Sequence, residues 1–361
     1  MASRNADFDL GFNDLPFFHR LPSGNAFNAA RFHLDGRTVG LLRIPSFDPR
    51  DYGKTCVSEW ERFRRNLATT CESKCEGEFW DAMADRLLDD LGARIRQMKE
   101  AGAEILAVDV TENRGGFRRL YHGAATLLAG RELPEPNVEI AANRETVRSL
   151  KDAQRAIERA LVFCPASAAR RNLEAAYWGH DAAIAEASLP CDRSAVWSDW
   201  GVRPACAGLV SFEYPDGQTL SEVESVSVRG GAAPGGGRPN PPPRPHWHGG
   251  LALLTNRDTG SAAELFAGLL KDYAGATIVG QRTSGSGGGW MFGWACWPLS
   301  HLPLDLCIPD HVTYRRNGAS YHEGVRPDIP VGLGAKEKPL LKARRLFEAL
   351  RTIIKKEQEP G

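Results

Sequence analysis

Apolar residues along this chain fall into two patterns. From Trp80 to Glu100 they recur three or four apart, at Trp80, Met83, Leu87, Leu88, Leu91, Ile95 and Met98, which draws one apolar stripe along a helix. Ala101-Gly102 supplies the stop. Directly afterwards Glu104-Ile-Leu-Ala-Val-Asp-Val110 is almost continuously apolar, as a strand covered on both faces of a parallel sheet must be. Residues 38–47 read as a similar strand closed by Pro45. The alternation returns late in the chain: a strand over Leu251-Ala-Leu-Leu-Thr255, a helix from about Ala262 to Tyr273, a strand over Ala276-Thr-Ile-Val279, and a basic helix from Lys336 to Lys356. Strands alternating with helices at this pitch predict βαβ units and an α/β core.

Between the two halves the chain changes character. Arg144 to Glu186 is Ala-rich and charged and reads as two helices broken at Pro165, while Val196 to Val228 holds Trp197, Trp200, Phe212 and Tyr214 in short β-like runs. Arg229 to Pro245 is dominated by Gly and Pro and has no core to bury, so it reads as a flexible loop. The first residues carry Phe8, Phe12, Phe17 and Phe18 among Asp, Asn and Pro, and read as a loosely structured arm. The expected partition is an arm over 1–37, a core split into 38–130 and 246–335, a helical-then-β insertion over 131–228, a loop over 229–245 and a C-terminal helix over 336–361.

Composition narrows the function classes. Forty-five basic residues balance 45 acidic ones in 361 residues, so no general affinity for nucleic acid or an anionic membrane is expected. Hydrophobic residues at 42% and charged ones at 25% exclude wholesale disorder. No apolar run reaches the ~18 residues of a membrane span. The polar start Met1-Ala2-Ser3-Arg4-Asn5-Ala6-Asp7 lacks the apolar segment of a secretory signal. The expectation is a cytoplasmic protein, or a periplasmic or extracellular one seen without its signal. Eight cysteines, six of them in close pairs (Cys71 with Cys75, Cys191 with Cys206, Cys296 with Cys307), favour disulfides and the second alternative. No Cys-x-x-Cys supports a zinc site, and His246-Trp-His248 supplies two metal ligands without a third, so no metal is expected.

Four segments carry candidate chemistry. Leu254-Thr-Asn-Arg-Asp-Thr-Gly-Ser-Ala-Ala-Glu264 runs a strand into a small-residue turn with Ser261 at the mouth of a helix. Such a serine is either an N-cap or a nucleophile whose neighbouring free N–H groups face a developing oxyanion. Ala107-Val-Asp-Val-Thr-Glu-Asn-Arg-Gly-Gly116 places a diglycine between a buried strand and a helix, where backbone can approach a substrate. Gly280-Gln-Arg-Thr-Ser-Gly-Ser-Gly-Gly-Gly289 is a glycine-rich loop without the Lys-Ser/Thr ending of a phosphate loop. The fourth is Glu323-Gly-Val-Arg-Pro-Asp-Ile-Pro330.

In this order and spacing, the segments resemble the carboxyl-terminal processing (tail-specific) serine peptidases, the family that includes the core of tricorn protease. Gly40-Leu-Leu-Arg-Ile-Pro-Ser-Phe47 matches the family's first strand, Asp109-Val-Thr-Glu-Asn-Arg-Gly-Gly116 its Asp-Leu-Arg-x-Asn-x-Gly-Gly element, and Ser261-Ala-Ala-Glu264 its nucleophile motif. Val279-Gly-Gln-Arg-Thr-Ser-Gly285 and Gly324-Val-Arg-Pro-Asp328 complete the set. The resemblance implies a ClpP/crotonase-like α/β core with a mixed helical and β insertion. It implies a serine endopeptidase that acylates through Ser261, with Gly115 or Gly116 and the Ala262 amide forming the oxyanion hole. Its substrates would be polypeptides and it would need no cofactor. No PDZ-like stretch stands between the first strand and Asp109, so residues 131–245 are the expected substrate selector.

The base departs from the family. Bacterial relatives carry a lysine 25 residues after the serine, and here that position is Ser286. The tricorn-like branch takes a histidine from the first strand, and here that position is Arg43, which cannot accept a proton near neutral pH. Among His122, His246, His248, His301, His311 and His322, the expected base is His322 with Glu323 as its acid partner, although neighbours on an extended strand point to opposite faces. Loss of both family bases also fits a non-catalytic peptide- or ligand-binding protein on a peptidase fold.

Overall fold

The computed structural model describes residues 18–22, 24–65, 73–163, 168–189, 209–212, 244–289, 296–299, 301, 303–307, 309–332 and 338–358. The strands in chain order are β1 (His19–Arg20), β2 (Ala29–Leu34), β3 (Arg37–Arg43), β4 (Ile105–Asp109), β5 (Asn137–Ala141), β6 (Leu209–Phe212) and β7 (Gly250–Thr255). They continue with β8 (Thr277–Gly280), β9 (Gly288–Gly289), β10 (Cys296–Pro298), β11 (Asp305–Cys307), β12 (His311–Tyr314) and β13 (Ile329–Pro330). The helices are α1 (Gly53–Arg64), α2 (Ser73–Glu100), α3 (Arg118–Ala129), α4 (Arg144–Phe163), α5 (Ala168–Ala187), α6 (Ala262–Ala274) and α7 (Pro339–Gln358).

These elements divide into two units. The first draws on Met1–Leu133, Pro241–Gly287 and Glu323–Gly361, the second on Pro134–Asn240 and Gly288–His322. The first unit holds a seven-stranded sheet in the order β1-β2-β3-β4-β7-β8-β13. The run from β3 to β13 is parallel, and β1 and β2 add antiparallel at one edge. Every residue of β4 is buried, which is why its sequence is apolar up to Asp109 instead of alternating. One sheet face, carrying Leu41, Ile105, Ala107, Ala252, Leu254 and Val279, is covered by Leu346, Phe347, Leu350 and Ile353 of α7. Each such buried side chain contributes about 1.5–3 kcal/mol of transfer free energy. The opposite face meets α2 at Gly40, where a Cβ would stand 2.8 Å from Met98 Sδ.

The second unit holds a four-stranded sheet, β6-β5-β12-β9, and the hairpin β10–β11. Its small core joins Val138, Ile140 and Val210 of the sheet to Leu150 of α4 and Ala183 of α5.

Three expectations change. Residues 29–34 are not part of a loose arm: Ala30, Phe32 and Leu34 point into the core and Arg31 and His33 point out, an alternation that makes a half-buried strand. Residues 288–322, assigned to the core, belong to the second unit because β12 pairs with β5 and with β9. The insertion also begins with a strand, β5, ahead of its helices. The helices α4 and α5 flank the expected break at Pro165, which itself lies outside the described residues, as do 229–243 of the Gly/Pro-rich segment. Cys56 is a free thiol and Cys75 is disulfide-bonded; Cys296 stands opposite Cys307 in the β10–β11 register. No helix among the described residues is long and apolar enough to cross a membrane.

Candidate active site

Three loops leave the carboxyl ends of the neighbouring parallel strands β4, β7 and β8, the edge of an open α/β sheet where ligands bind. They are the Asp109–Gly116 loop, the Thr255–Ser261 turn and the Gln281–Gly287 loop. All lie in the first unit, and hydrogen bonds lock them together.

Ser261 ends the turn after β7 with φ 53° and ψ −128°. A side chain avoids this backbone region, and holding a non-glycine residue there costs about 1–3 kcal/mol. A strained strand-to-helix turn of this kind lifts a serine hydroxyl out of the chain path, and Ser261 is exposed. The turn is pinned by Thr259, whose Oγ1 donates to the Val110 carbonyl at 2.9 Å, and by the Gly260 N–H, which donates to the Asn113 carbonyl at 2.9 Å.

The diglycine lies directly against this turn. A Cβ on Gly115 would stand 2.6 Å from the Ala262 nitrogen and 2.8 Å from the Ser261 Cβ, and φ at Gly115 is +91°. Only glycine permits that approach. A Cβ on Gly116 would overlap the Phe47 carbonyl carbon at 2.1 Å. Ser261, Ala262 and Gly115 are therefore brought together, while Gly116 packs against Phe47 and Asp48. The two glycines differ in their amides. The Gly115 N–H donates to Asn113 Oδ1 at 2.9 Å and is spent. Gly116 forms a parallel bridge to Phe47, in which its neighbours make the hydrogen bonds: Phe47 N–H to the Gly115 carbonyl and Phe117 N–H to the Phe47 carbonyl. Its own N–H points the other way. Asn113 is fully buried and its Nδ2 reaches the Ile44 carbonyl at 3.0 Å, so this one side chain ties the diglycine to the end of β3.

Arg43 sits opposite Asp109 in the β3–β4 register. Both are buried, and Arg43 Nη1 donates to Asp109 Oδ1 at 2.9 Å, to the Thr111 carbonyl at 2.6 Å and to Thr111 Oγ1 at 3.0 Å. The first-strand position thus holds a locked ion pair. Ser286, where a family lysine is expected, lies beside the Thr255–Ser261 turn: a Cβ on Gly260 would stand 2.7 Å from Ser284 Oγ and 3.4 Å from Ser286 Oγ, and the two hydroxyls share a 2.6 Å hydrogen bond.

Behind the turn is Glu264, fully buried. It accepts from the Ser261 N–H (3.0 Å), Thr283 Oγ1 (2.5 Å), Ser284 Oγ (3.2 Å), the Gly285 N–H (2.7 Å) and the Ser286 N–H (2.7 Å). Thr283 Oγ1 in turn accepts the Val325 N–H at 2.7 Å, which joins three of the sequence motifs in one chain of hydrogen bonds. The glycine loop points its amides inward to this carboxylate, the reason it is no phosphate cradle. Sequence reasoning passed over Glu264 and Asn113 as site-building residues. Glu264 had a signal in Ser-x-x-Glu, the capping-box spacing that returns an N3 carboxylate to the N-cap amide.

His322 and Glu323 are exposed on a 3-10 turn, Tyr321–Glu323, and not on an extended strand. Successive residues of such a turn are rotated by about a third of a circle, so the argument from alternating strand faces does not apply to them. His322 falls in the second unit and Glu323 in the first. Trp247, between His246 and His248, is buried and its Nε1 donates to the Gly250 carbonyl at 3.0 Å. Among the described residues no group of three or more His, Cys, Asp or Glu side chains is placed to hold a metal.

A family profile described as Peptidase family S41 matches residues 38–331. Among solved structures, mature CPAF complexed with lactacystin is 17% identical with a TM-score of 0.54, over 92% of this chain and 55% of that one. The photosystem II D1 C-terminal processing protease is 13% identical with a TM-score of 0.38, over 90% and 53%. Tricorn protease is 15% identical with a TM-score of 0.31, over 90% and 18%. The chain thus spans about half the length of the CPAF structures it matches. No well-characterised protein sequence matches it.

Proposed function

The chain belongs to peptidase family S41, and on that premise we propose that it is a serine endopeptidase whose nucleophile is Ser261. The observation that carries this reading is the strained Ser261 backbone with Gly115 packed against its Cβ and against the Ala262 nitrogen. In this reading Ser261 Oγ attacks a peptide carbonyl, and the Gly116 and Ala262 amides receive the oxyanion. Each such donor is worth about 2.7–4 kcal/mol in the transition state. Gly115 shapes the hole without donating, since Asn113 holds its N–H.

For the base we keep the proposal made from the sequence, His322 with Glu323 as its acid partner. A histidine suits the task because its reference pKa of about 6.5 lets it accept a proton near neutrality. The larger sheet and its helices are read as a ClpP/crotonase-like core. The substrate is an unstructured polypeptide or a protein tail, selected by the 131–245 segment, with no cofactor and no nucleic acid. The Cys75 disulfide fits a periplasmic or extracellular setting.

A second reading rests on Arg43 and Ser286. Both positions at which relatives carry a base hold side chains that cannot act as one, which is what a non-catalytic peptide-binding protein would show. A fluorophosphonate probe separates the two. Labelling of the wild type that disappears in Ser261→Ala, with turnover of an unfolded protein substrate, supports the peptidase; an unlabelled, inactive wild type that still binds peptide supports the second.

A further inference from the structure

The structure assigns Glu264 a task that Ser261 and its oxyanion donors leave open, and the assignment rests on the nucleophile reading above. An ionised carboxylate offers roughly four lone-pair directions. Glu264 already receives five donors, so it has no acceptor site left for the Ser261 proton and is not the base. Three of those donors are backbone N–H groups on opposite sides of the turn, Ser261 on one and Gly285 and Ser286 on the other. One buried charge therefore fastens the start of α6 to the loop after β8.

Two consequences follow for the reacting atom. The Ser261 N–H is held by Glu264 Oε2, which keeps the residue at φ 53° against its tendency to relax. The loop is folded so that the Ser284 and Ser286 hydroxyls occupy the space a side chain at position 260, the residue before Ser261, would need. We propose that Glu264 is a positioning residue whose negative charge, and not only its bulk, sets the reactivity of Ser261. A neutral isostere would turn an NH2 group toward donors that need an acceptor, and the turn would open.

The test compares Glu264→Gln, Glu264→Asp and Thr283→Val with the wild-type chain by two readouts: the rate of fluorophosphonate labelling, and amide hydrogen exchange at Gly285 and Ser286. In Glu264→Gln we expect labelling to slow by about 30-fold or more, the penalty of a misplaced reacting group. Exchange at the two amides should rise by about 10-fold or more as charge-assisted bonds are lost. Amides within α6 should keep their protection, and turnover of a peptide substrate should fall in kcat with KM nearly unchanged. Glu264→Asp, which keeps the charge, should recover part of the rate. Thr283→Val removes one neutral donor and should slow labelling by about 2- to 5-fold, with a matching small rise in Gly285 exchange.

Wild-type labelling in Glu264→Gln with α6 protected would overturn the proposal, as would equal losses in Glu264→Gln and Thr283→Val. Should Glu264→Gln not fold, an unchanged labelling rate and unchanged Gly285 exchange in Thr283→Val would also overturn it. An unlabelled wild type would instead overturn the nucleophile reading, while exchange in Glu264→Gln still decides whether the carboxylate holds the turn.

Discussion

The two sides of Ser261 are built on opposite principles. On the diglycine side, side chains are absent where backbone must come close. A Cβ on Gly115 would collide with the Ser261 Cβ and the Ala262 nitrogen, and Asn113 Oδ1 holds the Gly115 N–H. On the side of the loop after β8, side chains fill the space: Ser284 and Ser286 share a hydrogen bond, and Ser284 Oγ also donates to Glu264. The contrast teaches that the strained Ser261 turn is shaped on one side by the absence of side chains and on the other by polar side chains that hydrogen-bond to one another and to Glu264.

The strongest challenge to that comparison is Ser261→Ala. It should remove fluorophosphonate labelling and peptide hydrolysis by about 10⁴-fold or more, since loss of a nucleophile leaves only binding and oxyanion effects. The fold should survive, which circular dichroism and thermal unfolding would check. Residual hydrolysis at the wild-type rate would refute the assignment.

Arg43→Met probes what anchors the base of the diglycine loop. It leaves Asp109 buried without its cation, which costs about 3–5 kcal/mol of stability. Chemical denaturation measures this directly; a variant as stable as the wild type would show that the ion pair is not what keeps β3 and β4 in place.

Gly115→Ala probes the diglycine side. A methyl 2.6 Å from the Ala262 nitrogen must push the turn aside. Labelling should fall by about 100-fold, the effect of a displacement near 1 Å at a reacting group. A similar loss is expected for His322→Ala if it is the base, whereas His180→Ala should retain the rate. Undiminished labelling and turnover in His322→Ala would exclude it as the base.

The smallest effect lies in the second unit. Burial holds the His180 imidazole below the usual histidine range, although its Nδ1 lies 2.8 Å from the Ala176 carbonyl. The folded state thus binds fewer protons than the unfolded one in the window below about pH 6.5. Stability is full above that pH and is lost as pH falls through the window. Thermal unfolding at pH 7.5 and pH 5 should show the decline, and His180→Gln should shrink it; an undiminished decline would trace the pH dependence to other groups.

Much of this was legible in the sequence. The buried strand over 105–109, the α2 stripe and the order of four motifs depend on periodicity and local spacing, which survive in one dimension. The alternation in Ala29–Leu34 was legible too, but it sits beside an aromatic, proline-bearing start that hid it. The membership of 288–322 in the second unit was not, because strand pairing between β5 and β12 joins residues far apart in the chain and leaves no local pattern.

The sequence by itself determined which residues meet water and which meet the core, because hydrophobic spacing dictates the faces of helices and strands. It also determined that no lysine stands at position 286 and no histidine at position 43. Only the tertiary structure decided that Gly115 is spent and Gly116 points away from Phe47, and that one carboxylate gathers amides from two loops. Those facts depend on the direction of single N–H bonds. Such directions are set by backbone torsions and by partners brought together across the parallel sheet, and no residue type specifies them alone.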